Sequence, residues 1–295
     1  MKVLITGATT ASAEYIYKSL ESNRFELFLS DSEPLVGDKF IRIPKPDDAS
    51  FAHKILAICL DHSIAAVIPL LWAEIDILSQ SKILFEEYGI KILAPNKKTL
   101  DIISVTSRLY STLSNQQIKV PVFMRVENFD EFSKSILGIG YPSKKIKVQP
   151  DTVRSISFRI VDDHISTDEL LFPSEDKPAI TFEFMARALK KDDFSPILLT
   201  EYSESEVLNI HVLTERGETI KSSRENSEGT AALVSGLINH VVKILELDGY
   251  FKICLQQLTN NIQVLSVNYS LGDAEEVSEL NLPLLYLQKE LKTNN

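Results

Sequence analysis

The chain has 295 residues, of which 44% are hydrophobic and 24% charged, and its formal net charge is −10. This length exceeds one typical domain and predicts two or three packed modules. The acidic balance excludes nucleic acid as the expected partner, because phosphate backbones recruit basic patches. No apolar run approaches the roughly 18 residues of a membrane span, and the two cysteines show no CxxC spacing. We therefore expect a cytoplasmic protein without membrane contact.

The first hundred residues alternate between short apolar runs and amphipathic segments. Strands are predicted at 2–5, 25–30, 65–70 and 90–94, helices at 12–22, 48–62 and 75–88, and a short apolar segment lies at 40–43. This alternation predicts an α/β domain with a largely parallel sheet over 1–97. Gly7 follows the first strand, but Thr9 and Thr10 occupy positions that glycine holds in dinucleotide-binding loops, so a structural turn is the favoured interpretation.

The rest of the chain mixes strands and helices less regularly. Residues 98–117 predict one polar helix, followed by a short strand at 119–123. Residues 142–161 alternate like a hairpin with its turn near Pro150 and Asp151. A strand at 197–202, a hairpin around Arg216 and Gly217 and a helix at 230–245 follow. We predict a helical connector at 98–120 and two α+β subdomains at 121–200 and 201–295.

The segment 249–272 has an unusual composition. Two apolar, β-prone runs flank Asn260 and Asn261, which form a good two-residue turn because asparagine tolerates positive φ. No Asp or Glu occurs in this segment, although the chain contains 41 acidic residues. The segment therefore predicts a hairpin without carboxylates, in which Ser266 and Asn268 share one face with Val264.

The order of these segments resembles the ATP-grasp superfamily, in particular stand-alone proteins similar to the large subunit of carbamoyl-phosphate synthase. The likeness spans roughly 1–272 and depends on an ordered series of segments. These read MKVLITGATT, DKFIRIPKPDD, VIPLLWAEIDIL, LLTEYSESEVLNIHVL and VLSVNYS. The resemblance implies a Rossmann-like pre-ATP-grasp domain followed by a two-subdomain ATP-grasp fold. It also implies ATP and Mg²⁺ as cofactors, and a reaction in which a carboxylate is phosphorylated and then attacked by an amine or thiol.

The resemblance implies nucleotide-binding roles for four residues. Family members place a lysine directly before a proline, and a glycine-rich loop follows. This chain has Gln149 in place of the lysine, then Pro150 and the segment DTVRSISF, which contains no glycine. Lys147 precedes Gln149 by two residues and lies on the same strand face, so it can substitute for the lysine. Glu201 keeps the family's Glu-Tyr hinge, and Glu206 lies one position from the second hinge glutamate.

The resemblance also locates a catalytic and metal-binding strand, and here the chain departs from the family. Family members carry Glu-x-Asn-Pro-Arg, whereas this chain keeps Asn268 and has Ser266 in place of the glutamate. Mg²⁺ is usually bound through one or two carboxylates. Arg224 matches a basic residue of a neighbouring family strand. The resemblance thus implies Arg224 and Asn268 as catalytic residues, with Asn268 as the remaining metal ligand.

Three functions remain open from the sequence. We favour a pseudoenzyme that serves as a binding or interaction module. The reason is that the family's phosphate-binding lysine, its glycine-rich loop and its metal-binding glutamate are all missing together. The alternative is an active carboxylate–amine ligase that works through Lys147, Glu201, Arg224 and Asn268 with an atypical metal site. A third is a small-molecule binder at the strand ends of the first domain, where Trp72 either lines a cleft or, as we favour, packs in the core. Expected partners are a nucleotide or small molecule, another protein or a second copy.

Overall fold

The computed structural model divides into two compact units. The first comprises Met1–Asp101, Asn209–Ile253 and Val267–Asn295, and the second comprises Ile102–Leu208 and Cys254–Ser266. The residues that the structure describes are 1–21, 25–35, 37, 39–152, 157–168, 172, 178–223, 231–259, 261–269, 271 and 281–292. Arg224, Asn260 and the loop at 153–156 lie outside them. No helix of the described part is both long and apolar enough to cross a membrane.

Unit 1 begins with a five-stranded parallel sheet. Its strands are β1 (Lys2–Thr6), β2 (Glu26–Asp31), β3 (Phe40–Arg42), β4 (Ile64–Ile68) and β5 (Lys91–Ile92), in the order β3-β2-β1-β4-β5. The helices are α1 (Ala11–Glu21), α2 (Phe51–His62), α3 (Trp72–Gln80) and α4 (Lys82–Glu87). Val3, Leu4 and Ile5 are fully buried, as expected where both faces of a parallel sheet are covered. The predicted α/β fold with a parallel sheet is confirmed.

Two long predicted helices are each interrupted. The one at 75–88 divides into α3 and α4 because Ser81, with φ −100° and ψ 5°, leaves helical geometry. The one at 98–117 divides into α5 (Lys97–Ile103) and α6 (Thr106–Ser114). Here Val105 is extended, with φ −121° and ψ 111°, a conformation that suits its β-branched side chain.

Unit 2 contains a second five-stranded sheet, in the order β6-β10-β7-β8-β9. Helices α7 (Phe129–Ile139) and α8 (Phe182–Lys191) supply Phe132, Ile136 and Met185 to its core. The sequence prediction missed both helices. The strands are β6 (Phe123–Val126), β7 (Ile146–Pro150), β8 (Arg159–Val161), β9 (Ala179–Ile180) and β10 (Ile197–Glu201).

The structure bears on two strand predictions in this sheet. The strand expected at 119–123 begins only at Phe123, because Pro121 has no N–H to donate to a ladder. The hairpin at 142–161 is present as the antiparallel pair β7 and β8. Pro150 is the last residue of β7 and pairs with Ile197 of β10, the connection to β8 begins at Asp151, and its residues 153–156 lie outside the described part.

A four-stranded sheet follows, in the order β12-β11-β13-β14. The predicted hairpin at Arg216 and Gly217 is confirmed, with φ 48° and 82°. The turn predicted at Asn260 and Asn261 is wrong for Asn261, which already belongs to β14. The strands are β11 (Val207–Glu215), β12 (Glu218–Ser222), β13 (Gly249–Leu258) and β14 (Asn261–Asn268), and the helices are α9 (Ala231–Ile244) and α10 (Leu282–Lys292).

Candidate functional site

Strand β7 presents Lys147 and Gln149 on the face of its sheet opposite the core. Its alternate residues Ile146 and Val148 are 0% and 6% exposed and belong to the core cluster of unit 2. Lys147 pairs with Thr200 of β10 and also with β8, and Gln149 pairs with a residue of β10. The face shared by Lys147 and Gln149, which the alternation of the strand predicts, is therefore present in the structure.

Lys147 is a half-buried cation without a carboxylate partner among the described residues. Its Nζ lies 4.7 Å from the centroid of the Phe158 ring. Burial lowers the pKa of Lys147, because removal from water penalises the charged form. An aromatic face compensates for lost hydration less fully than a carboxylate does. The Lys147 ammonium is therefore suited to receive an anion.

Asp151 fixes the end of β7, and the sequence prediction missed this role. Its carboxylate accepts hydrogen bonds from the Ser107 N–H at 2.8 Å, the Ser107 hydroxyl at 2.5 Å and the Arg125 Nε at 3.0 Å. Ser107 lies in the first turn of α6, whose N-cap residue Val105 makes no side-chain cap. Asp151 therefore caps α6 from a distant point in the sequence. It lies two residues beyond Gln149 and holds that end of β7 in place.

The two hinge glutamates also lie in unit 2, but they do not join Lys147 on one face. Glu201 pairs with Ile146, so its side chain belongs to the opposite face of the sheet from Lys147. The Glu201 Oε2 lies 2.6 Å from the Lys144 Nζ in a surface ion pair. Glu206 is exposed, and its carbonyl accepts a hydrogen bond from the Gln257 N–H at 3.0 Å.

The first loop of unit 1 is occupied by a carboxylate of the chain itself. Gly7 has φ 68°, and the Thr9 N–H and hydroxyl donate to the Asp31 Oδ2 at 3.1 and 2.8 Å. The Thr10 N–H donates to the Gly7 carbonyl at 3.0 Å. Asp31 thus takes the position that a phosphate would need at a nucleotide-binding turn. The structure agrees with the interpretation of Gly7 as a structural turn.

Glu74 of α3 is buried beside this loop. It is 2% exposed and accepts a hydrogen bond from the Thr6 hydroxyl. Burial raises the pKa of Glu74 to about 7, and the nearby Asp31 also raises it, whereas hydrogen bonds from Thr6 and the Leu71 backbone act in the opposite direction. The Glu74 carboxyl is therefore partly protonated near neutral pH.

A small cavity formed by described residues lies at the strand ends of the first sheet. Its volume is about 40 Å³, and its lining includes Ser12, Pro69, Trp72 and Tyr269. That volume accommodates one or a few water molecules, which is much less than the roughly 300 Å³ of a small-molecule site. Trp72 therefore lines a cleft, but this cleft as it stands does not support the small-molecule binder suggested from the sequence.

Comparison with known proteins relates this architecture to a group of enzymes. Residues 3–93 match the family described as PylC-like, N-terminal domain. The L-amino acid ligase from Bacillus licheniformis superimposes with a TM-score of 0.70 at 13% identity, over 99% of this chain and 74% of that one. The D-alanine–D-alanine ligase from Bacillus anthracis complexed with ATP gives 0.63 at 14% identity, over 99% and 96%. The chain has the ATP-grasp fold.

A third solved structure agrees with this assignment. The ADP complex of N5-carboxyaminoimidazole ribonucleotide synthetase is similar with a TM-score of 0.65 at 12% identity, over 91% of this chain and 70% of that one. No curated protein sequence matches the chain. The predicted ATP-grasp fold is thus confirmed, and such low identities establish the fold alone. The specific likeness to carbamoyl-phosphate synthase stays a prediction.

Strand β14, on which the resemblance places the metal-binding residues, does not fit Mg²⁺ well. Ser266 and Asn268 alternate with Val267 on β14, so they offer one hydroxyl and one amide oxygen from the same strand face. Both are neutral, whereas Mg²⁺ is usually held by carboxylates. Within the described residues no group of three or more His, Cys, Asp or Glu side chains could hold a metal. Arg224, the other expected catalytic residue, lies outside the described residues.

The residues expected to bind the nucleotide suit their ligand better than the residues expected to bind Mg²⁺ suit the metal. Lys147 supplies an ammonium that has no carboxylate partner in the described ranges, and Gln149 supplies an amide on the same strand face. These groups would hold the phosphates of ATP, which when bound supplies an activated phosphoryl group. Glu201 and Glu206 are both exposed at the surface of unit 2. The arrangement favours binding of an anion over transfer of a phosphoryl group.

Proposed function

We propose that this chain is an ATP-grasp protein whose ATP-dependent ligase chemistry is lost or impaired, and that it works as a binding or interaction module. The observation that carries the proposal is Ser266, which stands where the metal-binding glutamate is expected, in a segment without any carboxylate from 249 to 272. Phosphoryl transfer needs metal ions to neutralise the charge that develops on the phosphates. A neutral donor set does not supply the carboxylates that hold such ions.

Lys147, which can substitute for the lost lysine, supports residual nucleotide binding in this proposal. Lys147 is desolvated and carries no carboxylate partner among the described residues, so a phosphate would relieve an unfavourable charge. Such a module would act through a bound nucleotide or small molecule, through another protein or through a second copy. Calorimetric titration with ATP, in the presence and absence of Mg²⁺, tests the proposal.

The second candidate is an active carboxylate–amine ligase with an atypical metal site. The desolvated ammonium of Lys147 favours it, as does the fold shared with a D-alanine–D-alanine ligase complexed with ATP. This function would require Mg²⁺ to be held by Asn268 together with the phosphates of the nucleotide. It predicts tight, magnesium-dependent ATP binding by the unmodified chain.

Restoring the two missing side chains should increase nucleotide affinity. We expect the double variant Gln149→Lys with Ser266→Glu to bind ATP and Mg²⁺ about tenfold more tightly than the unmodified chain. The added ammonium and carboxylate make charge-assisted contacts with phosphate and metal. The matched control combines Gln149→Lys with Asn261→Glu, which adds the same charge to β14 on the other strand face. If both double variants bind ATP equally, the placement of Ser266 is wrong.

A further inference from the structure

A groove of about 420 Å³ lies in unit 1 beside β12, the edge strand of the four-stranded sheet. Its apolar floor is formed by Leu213, Ile220 and Leu285, and its polar side chains include Glu215 and Lys221. The volume falls in the range of roughly 300–1,000 Å³ that is typical of small-molecule sites. An apolar surface with a few polar groups is the usual composition of such sites.

A β-bulge in β12 directs two consecutive residues into this groove. Leu213 pairs with Lys221, whereas Thr214 pairs with Thr219, so Ile220 is an extra residue in the ladder. In a regular strand Ile220 and Lys221 would point to opposite faces, but here both line the groove. Ile220 is 49% exposed despite its apolar side chain. The bulge therefore adds both an apolar and a cationic group to the groove.

The bulge has an unfavourable consequence nearby. The Thr219 hydroxyl is buried and has no hydrogen-bond partner among the described residues. Buried polar groups are normally hydrogen-bonded, and exceptions often accompany functional sites. Bulges at sheet edges likewise occur next to binding sites, where they redirect a side chain. Both features indicate that the shape of this edge serves more than the stability of the sheet.

The charges that line the groove differ in how they are paired. The Lys289 Nζ lies 2.9 Å from the Glu290 Oε1 and also pairs with Asp248, so its charge is neutralised. Neither Lys221 nor Glu215 has an ion-pair partner within the described part of the chain. As far as the described residues show, the groove therefore presents an ammonium and a carboxylate without ion-pair partners above an apolar floor.

We propose that this groove binds a small zwitterion with an apolar side chain, of which a free aliphatic amino acid is the simplest example. The ligand ammonium would pair with Glu215 and its carboxylate with Lys221. Its side chain would cover Leu213, Ile220 and Leu285, which removes apolar surface from water. The lining residues of the groove belong to unit 1 and Lys147 belongs to unit 2, and this proposal does not rest on nucleotide binding.

Leucine and its two single-charge analogues test this proposal by calorimetric titration of the full chain. The analogues are 4-methylpentanoate, which lacks the ammonium, and 3-methylbutylamine, which lacks the carboxylate. We expect leucine to bind saturably and each analogue to bind about tenfold more weakly. Lys221→Ala and Glu215→Gln should each weaken leucine binding about five- to tenfold, because each removes one charge-assisted contact.

Matched variants distinguish this groove from a general charge effect. Lys39→Ala removes an exposed lysine elsewhere in unit 1. Glu218→Gln removes an exposed carboxylate at the position opposite Glu215 in the β11–β12 ladder. Both variants, and Lys147→Ala, should leave leucine affinity unchanged. Three results would overturn the proposal: no saturation up to on the order of 10 mM leucine, an analogue that binds as tightly as leucine, or loss of binding in Lys147→Ala.

Discussion

Replacing Asp151 with alanine is expected to lower the free energy of unfolding by about 3 kcal/mol. The Asp151 side chain is 2% exposed and accepts three hydrogen bonds, two from Ser107 and one from Arg125. Alanine would leave the Ser107 N–H and hydroxyl without this acceptor and would expose the first turn of α6. Buried donors that lose their acceptor are destabilising by the full cost of desolvation.

Urea denaturation of the full chain measures this effect, and amide hydrogen exchange locates it. Because the chain has two units, unfolding need not be two-state, so exchange of the Ser107 amide gives the local value. The matched control is Asp192→Ala, which removes an exposed carboxylate at the end of α8 and should change stability by less than about 0.5 kcal/mol. If Asp151→Ala behaves like that control, the cap is not a stabilising contact.

The second large effect is a loss of stability as the pH rises, which Glu74 causes. The Glu74 pKa is about 7 in the folded chain, compared with 4.5 as the ordinary value. The folded state therefore keeps a proton that the unfolded state has already released. The stabilisation is fully present below the unfolded pKa and is lost as the pH rises through the folded pKa. Its upper limit is about 3 kcal/mol.

Glu74→Gln removes this titration, so which of the two proteins, variant or unmodified chain, is the more stable should change between low and high pH. Near pH 5 the glutamine variant should be equal to the unmodified chain or less stable, because an amide replaces the carboxyl that accepts from Thr6. Near pH 8 it should be the more stable of the two, because no charge is buried. The free energy of unfolding measured between these pH values gives the comparison. Glu87→Gln, at an exposed position of α4, is the control, and a difference independent of pH would contradict this account.

The sequence alone was sufficient to predict structural features that depend on local periodicity. The run Val3–Ile5 predicted β1, and alternation along β7 placed Lys147 and Gln149 on one face. Helix α7 was also predictable, because Asn128 accepts from the Glu131 N–H at 2.9 Å and Phe132, Ile136 and Ile139 recur at helical spacing. Helix α8 gave a weaker signal, since only its residue Met185 is buried.

Features that depend on contacts between distant segments were not predictable. The sequence shows Asp151 as a turn residue, and only the packing of α6 against β7 makes it a cap for Ser107. Asp31 likewise fills the first loop because β1 and β2 are neighbours in the sheet. The bulge at Ile220 follows from the register of β11 and β12 and has no signature in the residues themselves.

We propose that the neutral side chains of Ser266 and Asn268 do not support magnesium-dependent chemistry on ATP. Isothermal titration of the unmodified chain with ATP, in the presence and absence of Mg²⁺, tests it most directly. We expect the dissociation constant for ATP to be higher than about 100 μM, or no binding at all, and we expect Mg²⁺ not to increase the affinity for ATP. Micromolar binding that requires Mg²⁺ would contradict it and would establish the nucleotide and metal binding that an active ligase requires.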